Sequence, residues 1–173
     1  SYTVNHIYLD RGGNTVGTDT KTGSGEYGSA IPYVTNLTTY GGESYIYSHD
    51  DGTGKVITTT VDNNVVNVYY DIDTIGTGTD PEDPDGEPDK NQLIFNYASA
   101  GNGSVGKTKE VVTKVDGAAR PSGTTATPDT GYSFVNWTNG TDTDTDSGMA
   151  GFQAKSYTSD QTFTAHFSIN SYD

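Results

Sequence analysis

The ten residues from Asp80 to Asp89 read Asp-Pro-Glu-Asp-Pro-Asp-Gly-Glu-Pro-Asp, and a stretch with no aliphatic or aromatic side chain cannot form the interior of a core. Its carboxylates repel one another and its prolines restrict the backbone, so it is expected to be an extended, semi-rigid spacer. The flanking segments differ in kind. Nine of the thirteen Tyr lie within the first 70 residues, whereas all five Phe and the only Trp follow Lys90. Two separate cores are the simplest reading. The 173-residue chain is therefore expected to comprise a first domain at 1–75, an acidic Pro-rich linker at 76–90 and a second domain at 91–173, each large enough for only a modest core.

Hydrophobic periodicity sets the fold class. Tyr2, Val4, His6 and Tyr8 alternate with Thr3, Asn5, Ile7 and Leu9 before a turn at Asp10-Arg-Gly-Gly13, a period of two. Further strands are expected at 44–48, 55–61 and 65–72, the last two as a hairpin, with the Gly-rich 23–40 as a loop or short edge strand. In the second segment, strands are expected at 92–98, 110–115, 124–127 and 132–137, and at a closing strand with Phe163, Ala165 and Phe167 on one face. With Phe95, Phe134 and Trp137 these would make an aromatic core. No long helical pattern is present. The predicted fold is mainly β, two small β-grasp-like or β-sandwich-like domains in tandem with little helix.

Charge and cysteine content restrict function. Twenty-three Asp and Glu against nine Lys and Arg give a formal charge of −14, which repels nucleic-acid phosphates and anionic lipid surfaces. Without Cys there is no disulfide framework, zinc-thiolate site or thiol nucleophile. No apolar run approaches the ~20 residues that span a bilayer, and the chain opens directly on a strand. It is expected to be a monomeric module excised from a longer exported protein, with any export signal or wall anchor outside it.

Two resemblances extend this reading. Through Tyr2-Thr-Val-Asn-His-Ile-Tyr-Leu-Asp10, Gly25-Glu-Tyr-Gly28 and Val65-Val-Asn-Val-Tyr-Tyr70, the first segment resembles a mucin-binding-protein (MucBP) repeat of Gram-positive adhesins, with Arg11-Gly-Gly-Asn14 in place of the usual compact turn. The second resembles the β-grasp repeats of listerial internalin B, through Gly131-Tyr-Ser-Phe-Val-Asn-Trp137 and Thr162-Phe-Thr-Ala-His-Phe167. These resemblances imply a non-catalytic module of a Gram-positive cell-wall-associated adhesin, meeting a host mucin, glycan or extracellular protein. The alternatives are a stalk repeat that projects another domain and an accessory module of a secreted glycan-degrading enzyme.

Candidate sites are few. Tyr33, Tyr40, Tyr45 and Tyr47 cluster around the irregular middle of the first segment, and Tyr stacks on sugar faces while its hydroxyl meets polar groups. Packing across a sheet is the competing role. Asp83, Asp85, Glu87 and Asp89 place carboxylates at alternate positions beside a Gly, as in a calcium loop, with a solvated linker as the alternative. The same alternation in Asp142, Asp144 and Asp146 gives a weaker metal candidate. Catalysis finds little support: His6, His49 and His166 show no ligand or dyad spacing, Ser104 lacks a nucleophile elbow, and domains of this size seldom form the cleft a glycosidase dyad needs. With seven Lys, an intramolecular Lys-Asn isopeptide bond cannot be assigned to any pair.

Overall fold

The computed structural model describes residues 1–171; the last two residues of the predicted second domain lie outside the described residues. The chain divides into two compact units, one formed by Ser1–Thr74 with Pro84–Lys90 and the other by Ile75–Asp83 with the residues from Asn91 onward.

In the first unit, β1 (Tyr2–Leu9), β2 (Thr15–Gly23), β3 (Thr39–Tyr40), β4 (Glu43–Asp50) and β5 (Val65–Ile72) form one sheet in the order β2-β1-β5-β4-β3. The first and last strands, β1 and β5, run parallel at its centre, and the other pairs are antiparallel. Alternation aims Val4, His6, Tyr8, Val66, Val68 and Tyr70 at the core. Ile31, Ile57, Tyr33 and Leu37, none of them in a strand, pack over that face. The opposite face is polar: Thr20 Oγ1 donates to Asn5 Oδ1 (2.9 Å), Asn5 Nδ2 to Asn67 Oδ1 (3.0 Å) and Asn67 Nδ2 to Asp51 Oδ2 (3.0 Å).

One expected strand is absent here, and one observed strand was not expected. Residues 55–61 form no strand; they clip onto the 28–31 loop through Ile57 N–H to Ser29 O (2.8 Å) and Gly28 N–H to Ile57 O (2.9 Å), and the sheet partner of β5 is β4. Ile57 is apolar because it plugs the core from above. The nine-residue β2 carries no apolar alternation, because it is an edge strand whose one aliphatic residue, Val16, is 52 % exposed. Its glycines serve packing: a Cβ on Gly17 would lie 2.2 Å from the Tyr40 ring, and one on Gly23 2.3 Å from the Tyr2 hydroxyl. Aromatic rings cover backbone that a side chain would obstruct.

The second unit contains β6 (Gln92–Ser99), β7 (Gly103–Val105), β8 (Lys109–Thr113), β9 (Ala126–Pro128), β10 (Tyr132–Thr138), β11 (Thr143–Asp144), the one-turn α1 (Ala150–Gln153) and β12 (Gln161–Ile169). Its main sheet runs β11-β10-β12-β6-β8, with β7 and β9 paired apart. Again the first and last strands, β6 and β12, are parallel neighbours. Phe95, Trp137, Phe163 and Ala165 are fully buried, with Met149 and Phe152 from the α1 region packed against them and Phe134 and Phe167 half-buried at the margin. Phe134 and Trp137 are three apart, which in a regular strand would put them on opposite faces. A bulge at Val135 lets Phe134 pair with Phe167 and Trp137 with Ala165, so both rings join one core.

Several residues of the acidic connector are engaged by neighbouring groups. Asp89 is buried, and its carboxylate accepts from Thr74 N–H (2.9 Å) and Thr74 Oγ1–H (2.8 Å). Asp73, also buried, accepts from Gly86 N–H (3.0 Å) and Asp85 N–H (3.3 Å), and Lys90 pairs with Asp71 at 2.6 Å. In the second unit Gly76 N–H donates to Pro81 O (3.4 Å) and Lys109 pairs with Glu82 at 2.6 Å. Proline-rich turns leave amides without strand partners, and nearby carboxylates supply acceptors.

Candidate functional site

The four candidate tyrosines divide by their position on β3, β4 and the loop before them. Tyr45 faces the core and is 5 % exposed, which corrects the expectation that it offers a binding surface. Tyr40 stacks on Tyr8 with ring centroids 4.4 Å apart, and Tyr8 also stacks on Tyr70 at 5.1 Å. Tyr33 and Tyr47 instead converge on Asp50, donating to Oδ1 (2.9 Å) and Oδ2 (2.7 Å). A bulge at Ser48 brings Tyr47 and Asp50 to the same side of β4. The hydrogen bond to Asp50, with some burial, pushes the Tyr47 hydroxyl up to about 12, and the Tyr47 bond lowers the Asp50 carboxyl in turn. Of the four, Tyr47 alone is among the exposed large side chains, at 40 %.

Beside Tyr33 lies a cleft of about 260 Å³ lined by Tyr2, Val4, His6, Lys21, Thr22, Pro32, Tyr33 and Val34. His6, on β1, is 2 % exposed, with Nδ1 3.1 Å from the Tyr70 hydroxyl. Its alternation with Val4 and Tyr8 was the signal that it points inward. Burial lowers the His6 pKa, against the attraction of Asp19, and Lys21 lowers it further. The neutral ring is thus the folded form. The unfolded imidazole takes up its proton from pH 6.5 downward while the folded one resists, so stability is full above that pH and falls below it, by at most about 1.4 kcal/mol per pH unit. Melting of the first unit is expected to weaken between pH 7.5 and pH 5.5, and His6→Phe is expected to flatten that slope; an unchanged slope would remove His6 as its source.

In the second unit the densest polar cluster surrounds Glu110 on β8. Tyr97 Oη–H and Ser122 N–H (2.7 Å) donate to Oε1, and Ser122 Oγ–H and Lys107 Nζ (2.6 Å) to Oε2. Gly123 N–H donates to the Tyr97 hydroxyl at 3.2 Å. Burial alone would raise the Glu110 carboxyl, but the bonds from Lys107, Ser122 and Tyr97 outweigh it and hold it low. Burial and the Glu110 carboxylate drive the Tyr97 hydroxyl far up. Through its N–H and its hydroxyl, Ser122 ties its own loop to Glu110 on β8.

The acidic runs are taken up by backbone amides. Asp85 Oδ1 accepts from Glu87 N–H (2.9 Å), Asp89 is held by Thr74, and the Asp83 carboxyl is raised by hydrogen bonding to Asp80 and by its charge. Asp144 accepts from Asp146 N–H (2.9 Å) and Phe152 N–H (3.0 Å), Asp146 from Gly148 N–H (2.6 Å), and Asp142 pairs with Lys155 (2.9 Å). Among the described residues no group of three or more His, Asp or Glu converges as a metal site, and no helix is long and apolar enough to cross a membrane.

The bulged aromatic strand β10, packed beside the closing strand β12, carries the second segment's resemblance into a defined core. Residues 95–171 match the family model of the divergent InlB B-repeat domain. The InlB-type match begins at Phe95 on β6 and runs past the end of β12, so it includes the parallel central pair, the bulge and the Glu110 cluster. No curated protein matches the chain. Among solved structures, SHIRT domains 3–4 (Streptococcal High Identity Repeats in Tandem) of a cell surface protein align over 98 % of this chain and 99 % of that one, at 13 % identity and a TM-score of 0.33. Mub-RV aligns over 96 % and 100 %, at 14 % identity and a TM-score of 0.30. Residues 95–171, the greater part of the second unit, are thus similar to the divergent InlB B-repeat domain.

Proposed function

We propose that the chain is a non-catalytic module of a Gram-positive cell-surface adhesin, which contacts a host mucin, glycan or extracellular protein through its first unit. The InlB-type match over 95–171 carries this reading. The first unit adds an accessible aromatic edge, where Tyr33 and Tyr47 are held by Asp50 beside an apolar cleft. Such amphipathic, pre-ordered rings lose little entropy on binding. A stalk role is the second reading, favoured by the use of Tyr40, Tyr45 and Asp89 as internal packing and capping groups.

The test is retention under flow. Beads coated with the chain are expected to be held on a mucin-coated surface above uncoated beads, and Tyr47→Ala beads less firmly. Retention no better than that of uncoated beads would favour the stalk. Tyr47→Ala leaves the core intact, so the two outcomes are separable from misfolding by circular dichroism.

A further inference from the structure

Resting on the adhesion reading, we infer that the cleft beside Tyr33 is a subsite for one neutral sugar residue, whose ring lies against Tyr2, Tyr33 and Pro32 and one of whose hydroxyls bonds to His6 Nε2.

The first support is a nearly buried polar group without a protein partner. His6 is 2 % exposed and lines the cleft. Its Nδ1 meets the Tyr70 hydroxyl at 3.1 Å, and that hydroxyl donates to the Val34 carbonyl at 3.4 Å. With Nδ1 engaged by Tyr70, Nε2 is the ring nitrogen with no hydrogen-bond partner among the described residues, a donor or an acceptor according to the tautomer. A ligand hydroxyl suits either tautomer, because it can donate or accept.

Shape and charge identify the ligand class. The volume of about 260 Å³ lies just under the ~300–1,000 Å³ of drug-sized pockets, which suits one ring and not an extended segment. Aromatic and apolar walls with one inner polar group match the alternation of C–H face and hydroxyl edge on a sugar. Lys21 at the rim is already paired with Asp19 at 3.0 Å, and a chain of charge −14 disfavours an acidic sugar. A larger hollow of about 410 Å³ in the second unit, lined by Val112, Val115 and Arg120 among others, lacks this feature: Arg120 Nε donates to Ser156 at 3.0 Å.

The test is nuclear magnetic resonance of the full chain, titrated with neutral methyl glycosides, with a methyl glucuronide and with N-acetyl-tyrosine amide. Neutral glycosides are expected to shift the His6 ring nitrogens and the Tyr2 and Tyr33 resonances, His6→Phe to weaken binding about tenfold, and Val34→Trp to abolish it. Val34 is half exposed, so the Trp plugs the cleft without disturbing the core. Shifts with the tyrosine amide or the glucuronide alone would overturn the proposal, as would neutral-glycoside shifts that persist in Val34→Trp. If no glycoside shifts these residues while mucin retention of the beads survives in Val34→Trp, the subsite fails and the adhesion reading stands. Loss of mucin retention in the unsubstituted chain refutes the adhesion reading by itself.

Discussion

Glu110→Ala is expected to destabilise the second unit by about 3–5 kcal/mol, the scale for removing one member of a buried, charge-bonded cluster. The loss exceeds that of a surface ion pair, because Tyr97 Oη–H, Ser122 N–H and the Ser122 hydroxyl all donate to this one carboxylate in a largely buried site and would lose their acceptor together. Glu110→Gln keeps the shape but not the charge, and is expected to fall between. The sign of the pH effect follows from the lowered Glu110 pKa: its contribution is complete above the unfolded value of 4.5 and fades as pH falls through the lower folded value. Chemical denaturation at neutral and acidic pH checks both statements. A cost under about 1 kcal/mol, the range of exposed pairs, would contradict the cluster's role.

Trp137→Ala is expected to cost about 3–5 kcal/mol, as for other large-to-small changes at buried aromatic positions. Trp137 is fully buried, its Nε1–H donates to Ser147 O at 3.1 Å, and its ring meets Tyr97 edge-on at 6.3 Å. Calorimetry of the substituted chain is expected to show one transition lowered and the other unmoved, since the aromatic side chains packed around Trp137 all belong to the second unit. A common shift of both transitions would mean that the units do not unfold separately.

Some of this structure was legible in the residues. The alternation in Tyr2–Leu9, Val65–Ile72 and Gln161–Ile169 marked three strands with one apolar face, because a half-buried strand writes its burial into a period of two. The edge strand β2 had no buried face to write, and only its alternate Thr18, Thr20 and Thr22 hinted at extended backbone. Ile57 misled because a residue that plugs a core from a loop looks the same as one in a strand. The Phe134–Trp137 spacing signalled aromatic content but not the bulge that reconciles three residues with one face.

The candidate site was less legible, for a physical reason. A Tyr in a sheet packs or binds according to which face it takes, and the bulge at Ser48 that decides this for Tyr47 has no mark in the sequence. Carboxylates at alternate positions suit a cation or a row of backbone amides equally well, and pairings such as Asp73 with Gly86 appear only once the turns close. His6 was hidden by its residue type, since its alternation was that of a core residue and its chemistry that of a surface one.

Binding of the purified chain to a mucin and neutral-glycan array, in calcium and then in chelator, tests the adhesive role most directly. The account predicts reproducible binding that survives chelation, because the carboxylates of Asp89, Asp73 and Asp144 are engaged by Thr74, by Gly86 and by Phe152. No binding in either condition would contradict it.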